Sequence, residues 1–287
     1  MSDTPSTDRR GYDPLFLALP VALPAPTAAR TVRLLTYTHF SVLLDPVRRL
    51  ALATGVNIDG DRLLDLARGD DWHLDPRVLE TEQAGAELYA RNDLDRGHLV
   101  RRRDPVWGDQ VTAQRANDDT FVFTNAAPQA ADFNQGETLW SGLEDHVLEY
   151  ARAGSARISV FTAPVLDASD PLYRGIRIPR RFWKVAAWVA QTGGEQALRA
   201  AAFVLDQSPQ LDAIDVRASG PDSPPPLGPF RTFQVPVTDV AALTDLDLAT
   251  LSAADVLAAA PRTAAPAPGS ATPAWIPLRS AADILLG

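Results

Sequence analysis

The feature that most constrains the fold is a series of apolar, β-branched runs on either side of a long polar segment. Two runs precede residue 60, at 32–44 and 48–57, and four follow, at 157–165, 178–189, 197–207 and 230–237. Runs of this composition predict strands, and Asp45-Pro46 between the first two predicts the turn of a hairpin. The chain is therefore expected to build a sheet and to carry its chemistry in the polar segment.

Within that segment the pattern predicts short elements separated by loops. Residues 81–90 are expected to be helical, 101–117 a polar loop, 119–124 a strand and 125–129 a turn. A longer helix is expected to begin at Asn134 and to run to about Ala153. His39 falls inside the first predicted strand, where a histidine that packs in the core or on a face is the favoured interpretation.

Composition excludes several classes of protein. The chain has 287 residues, a net charge of −9 and no cysteine, which excludes disulfides and thiolate chemistry. No apolar run approaches the roughly 20 residues that a membrane span needs, so no membrane partner is expected. The acidic balance argues against a protein that coats nucleic acid through global charge. Residues 90–104 carry the opposite, positive net charge, with five arginines against three aspartates.

This basic stretch contains the residue types that phosphodiester hydrolysis requires. His98 lies between Arg96 and the run Arg101, Arg102 and Arg103, where a phosphate would be attracted. An imidazole with an ordinary pKa of about 6.5 could act as a base without a large shift. Asn134 offers a hard carbonyl oxygen, a ligand type that Mg²⁺ accepts while it keeps several waters.

Four motifs follow one another in the polar segment: Asp95-Arg96-Gly97-His98, Asn125-x-x-Pro128-Gln129, Asn134-Gln135 and Trp140-x-x-Leu143-Glu144. With Ile178-Pro-x-x-Phe-Trp-Lys-Val185 further on, they resemble the DNA/RNA non-specific endonuclease family. The resemblance spans roughly residues 31–245. It implies an α+β fold, with a mainly antiparallel sheet flanked by helices and a ββα-metal finger on one face.

The resemblance also implies hydrolysis of DNA and RNA to 5′-phosphorylated products with Mg²⁺, or with Mn²⁺. It assigns His98 as the general base, Asn134 as the metal ligand and Asn125 as a residue that supports the site. Glu144 would orient the waters around the metal. It lies two residues further from Asn134 than the family spacing implies, which would rotate it by about 200° on an ideal helix. Glu137 therefore remains the alternative.

Three arginines are expected to bind substrate. Arg68 and Arg96 match the phosphate-binding positions of the family, and Arg101 lies in the basic run after His98. Arg77 remains an alternative to Arg68, because both lie near the Trp72 and Asp75-Pro76 element. A surface ion pair between Arg68 and Asp70 or Asp71 is the other interpretation of Arg68.

Three regions are expected along the chain: an extended N-terminal arm at 1–30, the endonuclease domain at 31–258, and an Ala/Pro-rich tail with a short helix at 259–287. The segment from Pro14 to Pro24 resembles a signal peptide only weakly, because Pro20 interrupts it. A cytoplasmic location is favoured over secretion. DNA and RNA are the expected partners, as substrates. A homodimer, an inhibitor protein, a non-catalytic nucleic-acid-binding module and a phosphodiesterase acting on small diesters remain open.

Overall fold

The structure, a computed structural model, describes residues 9–130, 156–192, 194–208, 231–259, 275–279 and 283–285. Its strands and helices follow one another as β1 (Ala25–Pro26), β2 (Arg33–Thr36), β3 (Phe40–Asp45), β4 (Leu50–Asp59), α1 (Ala86–Tyr89), β5 (Leu94–His98), α2 (Gln110–Asp119), β6 (Ala126–Ala130), β7 (Arg157–Val165), β8 (Leu172–Tyr173), β9 (Ile176–Arg177), β10 (Arg181–Thr192), β11 (Glu195–Asp206), β12 (Arg231–Val235), α3 (Val237–Thr244), β13 (Leu246–Asp247), α4 (Ala249–Ala253), α5 (Val256–Ala259) and β14 (Ile276–Leu278). Short 3₁₀ turns occupy Gly60–Arg62, Glu80–Glu82 and Phe123–Asn125.

One antiparallel sheet organises the molecule. Its strand order is β14-β12-β11-β10-β7-β4-β3-β2, and every neighbouring pair runs antiparallel. The long runs predicted at 157–165, 178–189 and 197–207 form its centre as β7, β10 and β11. The architecture is α+β with a mainly antiparallel sheet, as the resemblance implied.

Both faces of the sheet are buried, which explains why its central strands are almost continuously apolar. In β10, Phe182 and Ala186 pack into one hydrophobic cluster, and Trp183 and Val185 pack into a second cluster on the opposite face. The first cluster also includes residues of the polar segment, among them Leu99. This face of the sheet is therefore the base on which the site is built.

The chain ends of the described part contribute to the sheet and its covering layers. Tyr12, Phe16 and Val21 are buried in the second cluster, and β1 pairs with β13. On the C-terminal side, β14 adds an edge strand to β12. None of the helices within the described ranges is long and apolar enough to span a membrane.

Three of the expected elements were wrong. The run 32–44 is two strands, because a turn at Tyr37–His39 interrupts it, with His39 at a φ of 67°. His39 therefore lies outside a strand; its ring stacks on Trp107 with centroids 3.4 Å apart. The expected polar loop contains helix α2, whose N-terminus is capped by Asp109 through the amides of Val111 and Thr112. The helix expected over 81–90 is shorter, covering only Ala86–Tyr89 after a 3₁₀ turn.

The second strand of the finger also lies later than expected. Residues 119–124, expected to be a strand, end α2 and enter a 3₁₀ turn. Most of the turn expected at 125–129 belongs instead to strand β6 (Ala126–Ala130), which pairs with β5. Pro128 is tolerated in this strand because a two-stranded ladder has an outer side on which no amide donor is needed. The helix expected to complete the finger, from Asn134 onward, lies outside the described residues.

Candidate active site

The β5–β6 ladder positions His98. Its register pairs Gly97 with Ala127 and His98 with Ala126, so the Asp-Arg-Gly-His motif and the Asn-x-x-Pro-Gln motif lie side by side. A Cβ at Gly97 would collide with the buried side chain of Gln129. The glycine is therefore required because the glutamine of the second motif lies across it.

Asn125 fixes the backbone that follows His98. Its Oδ1 accepts a hydrogen bond from the amide of Val100 (2.9 Å), and its Nδ2 donates to the carbonyls of Val100 (3.0 Å) and Thr120 (3.0 Å). Its own carbonyl accepts from the amide of Leu99 (2.9 Å). The side chain is fully buried, so Asn125 holds the backbone that follows His98 in place and faces the interior.

Aromatic rings surround the imidazole. The His98 ring lies 4.6 Å from that of Trp72 and 5.2 Å from that of Phe121. Trp72 is held in this position because the next residue, His73, makes two backbone hydrogen bonds: its amide donates to the Phe121 carbonyl (3.1 Å), and its carbonyl accepts from the Phe123 amide (2.9 Å). Contacts between rings therefore fix the orientation of the imidazole.

Arg96 and Arg68 supply positive charge beside the histidine. The guanidinium of Arg96 lies over the ring of Trp72, 5.4 Å from its centroid, and is 3.6 Å from Asp70. Arg68 is exposed, and its charge acts on His98. Within the described ranges no hydrogen bond or ion pair holds Arg68, so its predicted pairing with Asp70 or Asp71 is not formed there.

Arg77, the alternative to Arg68, is held elsewhere. It binds Asp75 through Nε and Nη2 (2.9 and 2.6 Å) and donates to the carbonyl of Thr36 (2.8 Å). Burial alone would raise the pKa of Asp75, but its hydrogen bonds from Arg77 and Tyr37 outweigh this and lower it. The structure therefore favours Arg68 as the arginine that can reach a phosphate.

The three arginines that follow His98 make different contacts. Arg102 is not a solvated charge: it donates to the carbonyl of Leu66 and to Oδ1 of Asn117, both at 3.0 Å, and so ties the loop before Arg68 to helix α2. Arg103 lies 3.5 Å from the exposed Asp65. Arg101 is half-buried. Of the three arginines, Arg102 contributes to the positive potential at the imidazole.

His98 is half-buried overall, and its Nε2 is fully enclosed without a hydrogen-bond partner in the described part of the chain. Burial, together with the smaller effect of the positive charges of Arg68, Arg102 and Arg96, lowers the pKa of His98 to about 3. The expectation of an imidazole without a large shift was therefore wrong. In the free protein His98 is therefore neutral throughout the physiological range.

The predicted metal-binding residues lie outside the described ranges. Asn134, Glu144 and Glu137 all fall in the segment 131–155, for which the structure gives no placement. Among the described residues, no three His, Asp or Glu side chains come together as a metal site. The described residues around His98 contribute imidazole and guanidinium groups and no cluster of carboxylates, so they do not by themselves form a cation site.

Sequence reasoning missed the groups that surround His98. Trp72 and Phe121 were not assigned a role, and Gln129 was noted only as part of a motif. The motif spacing could have indicated the role of Gln129, because Gly97 and Gln129 come together as soon as β5 and β6 pair. No local signal indicates that Trp72 contacts an imidazole 26 residues later in the chain.

The framework of the site is an antiparallel sheet with a separate two-stranded ladder that carries Arg96 and His98. The chain belongs to the DNA/RNA non-specific endonuclease family, whose sequence model matches residues 23–255.

Particular relatives agree with this membership. The chain is 40% identical to the uncharacterised protein y4fB of Sinorhizobium fredii, over 96% of this chain and 42% of that protein. It is 28% identical to mitochondrial endonuclease G of Homo sapiens, over 63% of this chain and 55% of that protein. The chain thus spans about half the length of these curated relatives.

A solved structure shares the fold. The crystal structure of the EndoG/EndoGI complex, described by its authors as showing the mechanism of EndoG inhibition, aligns with a TM-score of 0.55 and 20% identity. The alignment covers 78% of this chain and 87% of that one.

Proposed function

We propose that this protein is a metal-dependent, sugar-non-specific endonuclease that hydrolyses phosphodiester bonds of DNA and RNA to 5′-phosphorylated products. One observation carries the proposal. A neutral histidine, His98, is half-buried between aromatic rings, and the positive charges of nearby arginines act on it. Family membership supports the same activity.

The reaction follows from these groups. The imidazole of His98 accepts a proton from a water molecule, and the water oxygen forms a bond to phosphorus. The bond between phosphorus and the 3′ oxygen breaks, and that oxygen leaves as a 3′ hydroxyl after it gains a proton from solvent. The phosphate stays on the 5′ carbon of the following nucleotide. Arg68 and Arg96 hold the phosphate and stabilise the charge that develops on its oxygens.

Substrate binding also adjusts the base. Part of the low pKa of His98 comes from nearby guanidinium charges. A bound phosphate places negative charge among them, which raises the pKa of His98 towards the working pH. Because a general base works best when its pKa is near that pH, the histidine becomes a better base when substrate is present.

A divalent cation completes the proposed site. Asn134 would hold Mg²⁺ or Mn²⁺, and Glu144, or alternatively Glu137, would orient the surrounding waters. The cation would supply charge neutralisation for the leaving 3′ oxygen. Arg101 is proposed to bind a neighbouring phosphate of the same strand.

Recognition through phosphate explains activity on both polymers. Guanidinium contacts to phosphate position a nucleic acid but carry no information about its sequence. The described residues around His98 are cationic and aromatic, and such groups bind DNA and RNA alike. DNA and RNA are therefore the proposed substrates, with cleavage independent of base sequence.

The test is digestion of plasmid DNA and of a long RNA by the full chain, with Mg²⁺ and with EDTA. His98→Ala should lower the rate by at least about 100-fold, the contribution expected of a general base, and EDTA should stop the wild type. His73→Ala is the matched control, because His73 is exposed and its ring contacts only the Asp71 carbonyl (3.1 Å) among the hydrogen bonds described. Circular dichroism verifies that each variant folds.

Three other outcomes would reject the proposal. Digestion by His98→Ala at the wild-type rate would exclude His98 as the base. Binding of nucleic acid without cutting would identify a binding module. Hydrolysis of a small nucleotide diester without digestion of either polymer would identify a phosphodiesterase.

A further inference from the structure

The ladder that carries His98 depends on contacts with the rest of the molecule. Within the described ranges β5 and β6 form a separate two-stranded sheet, and a two-stranded ladder is at best marginally stable in water. Asn125 supports the end of the ladder at which His98 lies, through its hydrogen bonds to the backbone of Val100. The position of the other end must be set by a different group.

Gln207 supports that other end. Its side-chain Oε1 accepts a hydrogen bond from the amide of Ala130 (3.0 Å), and its Nε2 donates to the carbonyl of Pro128 (3.3 Å). The same nitrogen also donates to the carbonyl of Pro179 (2.6 Å). The side chain of Gln207 thus connects β6 to the segment that leads into β10.

These hydrogen bonds lie on the outer edge of β6. The amide of Leu99 donates to the carbonyl of Asn125 (2.9 Å), and hydrogen-bonded pairs alternate along an antiparallel ladder. Pro128 and Ala130 therefore direct their backbone groups away from β5. A glutamine amide carries an acceptor and a donor side by side, as a peptide group does. Gln207 therefore takes the place that a third strand would occupy for one step of the ladder.

Gln207 is itself held firmly. The side chain is fully buried, and the main-chain amide donates to the carbonyl of Arg180 (2.9 Å), just before β10. A primary amide has two N–H donors and one acceptor oxygen, and each of them has a partner here. The amide therefore holds both β6 and the start of β10 at set distances from itself.

The part of β6 that Gln207 holds lies opposite a residue of the site. The register pairs Pro128 with Arg96, two residues before His98 on β5. The guanidinium of Arg96 lies over the ring of Trp72, and the imidazole of His98 contacts the same ring. A displacement of β6 at Pro128 would therefore move Arg96 and His98 together relative to Trp72.

We propose that Gln207 is a positioning residue, which fixes the β5–β6 ladder against the end of the main sheet and so holds Arg96 and His98 in their working places. The inference rests on the proposed nuclease function. Gln207 acts through the backbone of β6 and takes no part in the proton transfer. Its sequence context does not indicate this role, because Gln207 is simply the last residue of the apolar run 197–207.

Gln207→Met tests the inference, because methionine has a similar length and lacks the amide. In the full chain with Mg²⁺, kcat/KM on DNA should fall about 10- to 100-fold, the effect expected when catalytic groups are misplaced. In the free protein, NMR titration of the His98 ring should give a higher pKa than in the wild type, because a loosened ladder admits water to the imidazole. Both quantities are measured well below the thermal midpoint of the variant.

Gln234→Met is the matched control. Gln234 on β12 is also fully buried, and its side-chain amide bonds the carbonyl and the amide of Leu285 (2.8 and 2.9 Å). Its replacement should lower the thermal midpoint and leave kcat/KM and the pKa of His98 unchanged. If Gln207→Met gives this same pattern, Gln207 is only structural and the inference is wrong.

Gln207→Glu tests for rescue by a similar side chain. A carboxyl group keeps the acceptor for the amide of Ala130, and its protonated form also donates one hydrogen bond. Relative to the wild type at the same pH, kcat/KM of this variant should exceed that of Gln207→Met, most clearly at low pH. A carboxyl that performs no better than methionine at any pH would contradict the role of these hydrogen bonds.

Failure of the nuclease function can be distinguished from failure of this inference. If the wild type cuts neither DNA nor RNA, the nuclease function is rejected, whereas the comparison of the His98 pKa still tests the position of the ladder. If the wild type cuts and Gln207→Met retains its kcat/KM, the positioning role is rejected and the nuclease function stands. Loss of the whole fold in both Gln207 variants would reject a role confined to the ladder.

Discussion

The low pKa of His98 leads to a quantitative prediction about stability. The pKa lies at about 3 in the folded chain, whereas the ordinary value is 6.5. Burial is the main cause, and the charges of Arg68, Arg102 and Arg96 add to it. The unfolded chain therefore binds a proton at His98 between these two pH values, and the folded chain does not.

The direction in which stability changes with pH follows from this difference in bound protons. Above pH 6.5 neither state is protonated at His98, and the full stability is present. As the pH falls from 6.5 towards 3, the unfolded state gains a proton and stability is lost, by roughly 5 kcal/mol over the whole interval at about 1.4 kcal/mol per pKa unit. Between pH 7 and pH 5 the loss from this residue should be about 2 kcal/mol.

Urea unfolding of wild type and His98→Gln at pH 7 and pH 5, without metal or nucleic acid, measures this loss. The glutamine cannot be protonated, so the difference in unfolding free energy between the two proteins should change by about 2 kcal/mol in favour of the variant at pH 5. Titration of the His98 ring by NMR, assigned by its absence in the variant, gives the pKa directly. Arg68→Ala should raise that pKa. A measured value near 6.5 in the free protein would refute the reasoning.

Three further predictions concern the residues around His98. Gly97→Ala should destabilise the chain by about 1–3 kcal/mol through overpacking against Gln129. Adding Gln129→Ala to this variant should restore part of the lost unfolding free energy, measured by chemical denaturation. Simple additivity of the two changes in unfolding free energy would contradict the contact. Asn125→Ala should cost about 3 kcal/mol, since it leaves buried backbone groups of Val100 unpaired, and it should lower kcat; an unchanged unfolding midpoint would count against this role. Arg77→Ala should reduce the unfolding free energy by about 1–3 kcal/mol, because Asp75 loses its partner, with kcat/KM retained. Arg68→Ala should instead lower kcat/KM with stability retained, and the reverse pattern would exchange the roles of the two arginines.

Local sequence predicts an element well where both the pattern and the tertiary contacts require the same structure. The strand at 178–189 is such a case, because a long apolar run between two buried faces can form little else. Local sequence predicts an element badly where a tertiary contact determines the local structure. Pro128 indicated a turn, yet pairing with β5 makes its segment a strand. His39 lies in the turn between β2 and β3 in a left-handed conformation, and its ring stacks on Trp107.

The sequence by itself determined the chemical groups of this protein: a histidine among arginines, with the paired motifs that identify the family. Only the tertiary structure decided the position and the protonation state of these groups. The contact of Trp72 with His98 and the hydrogen bonds of Asn125 join positions that are distant along the chain. The pKa of His98 sums burial and charge from such positions. Solvation and electrostatics depend on distance in space, which local sequence patterns do not specify.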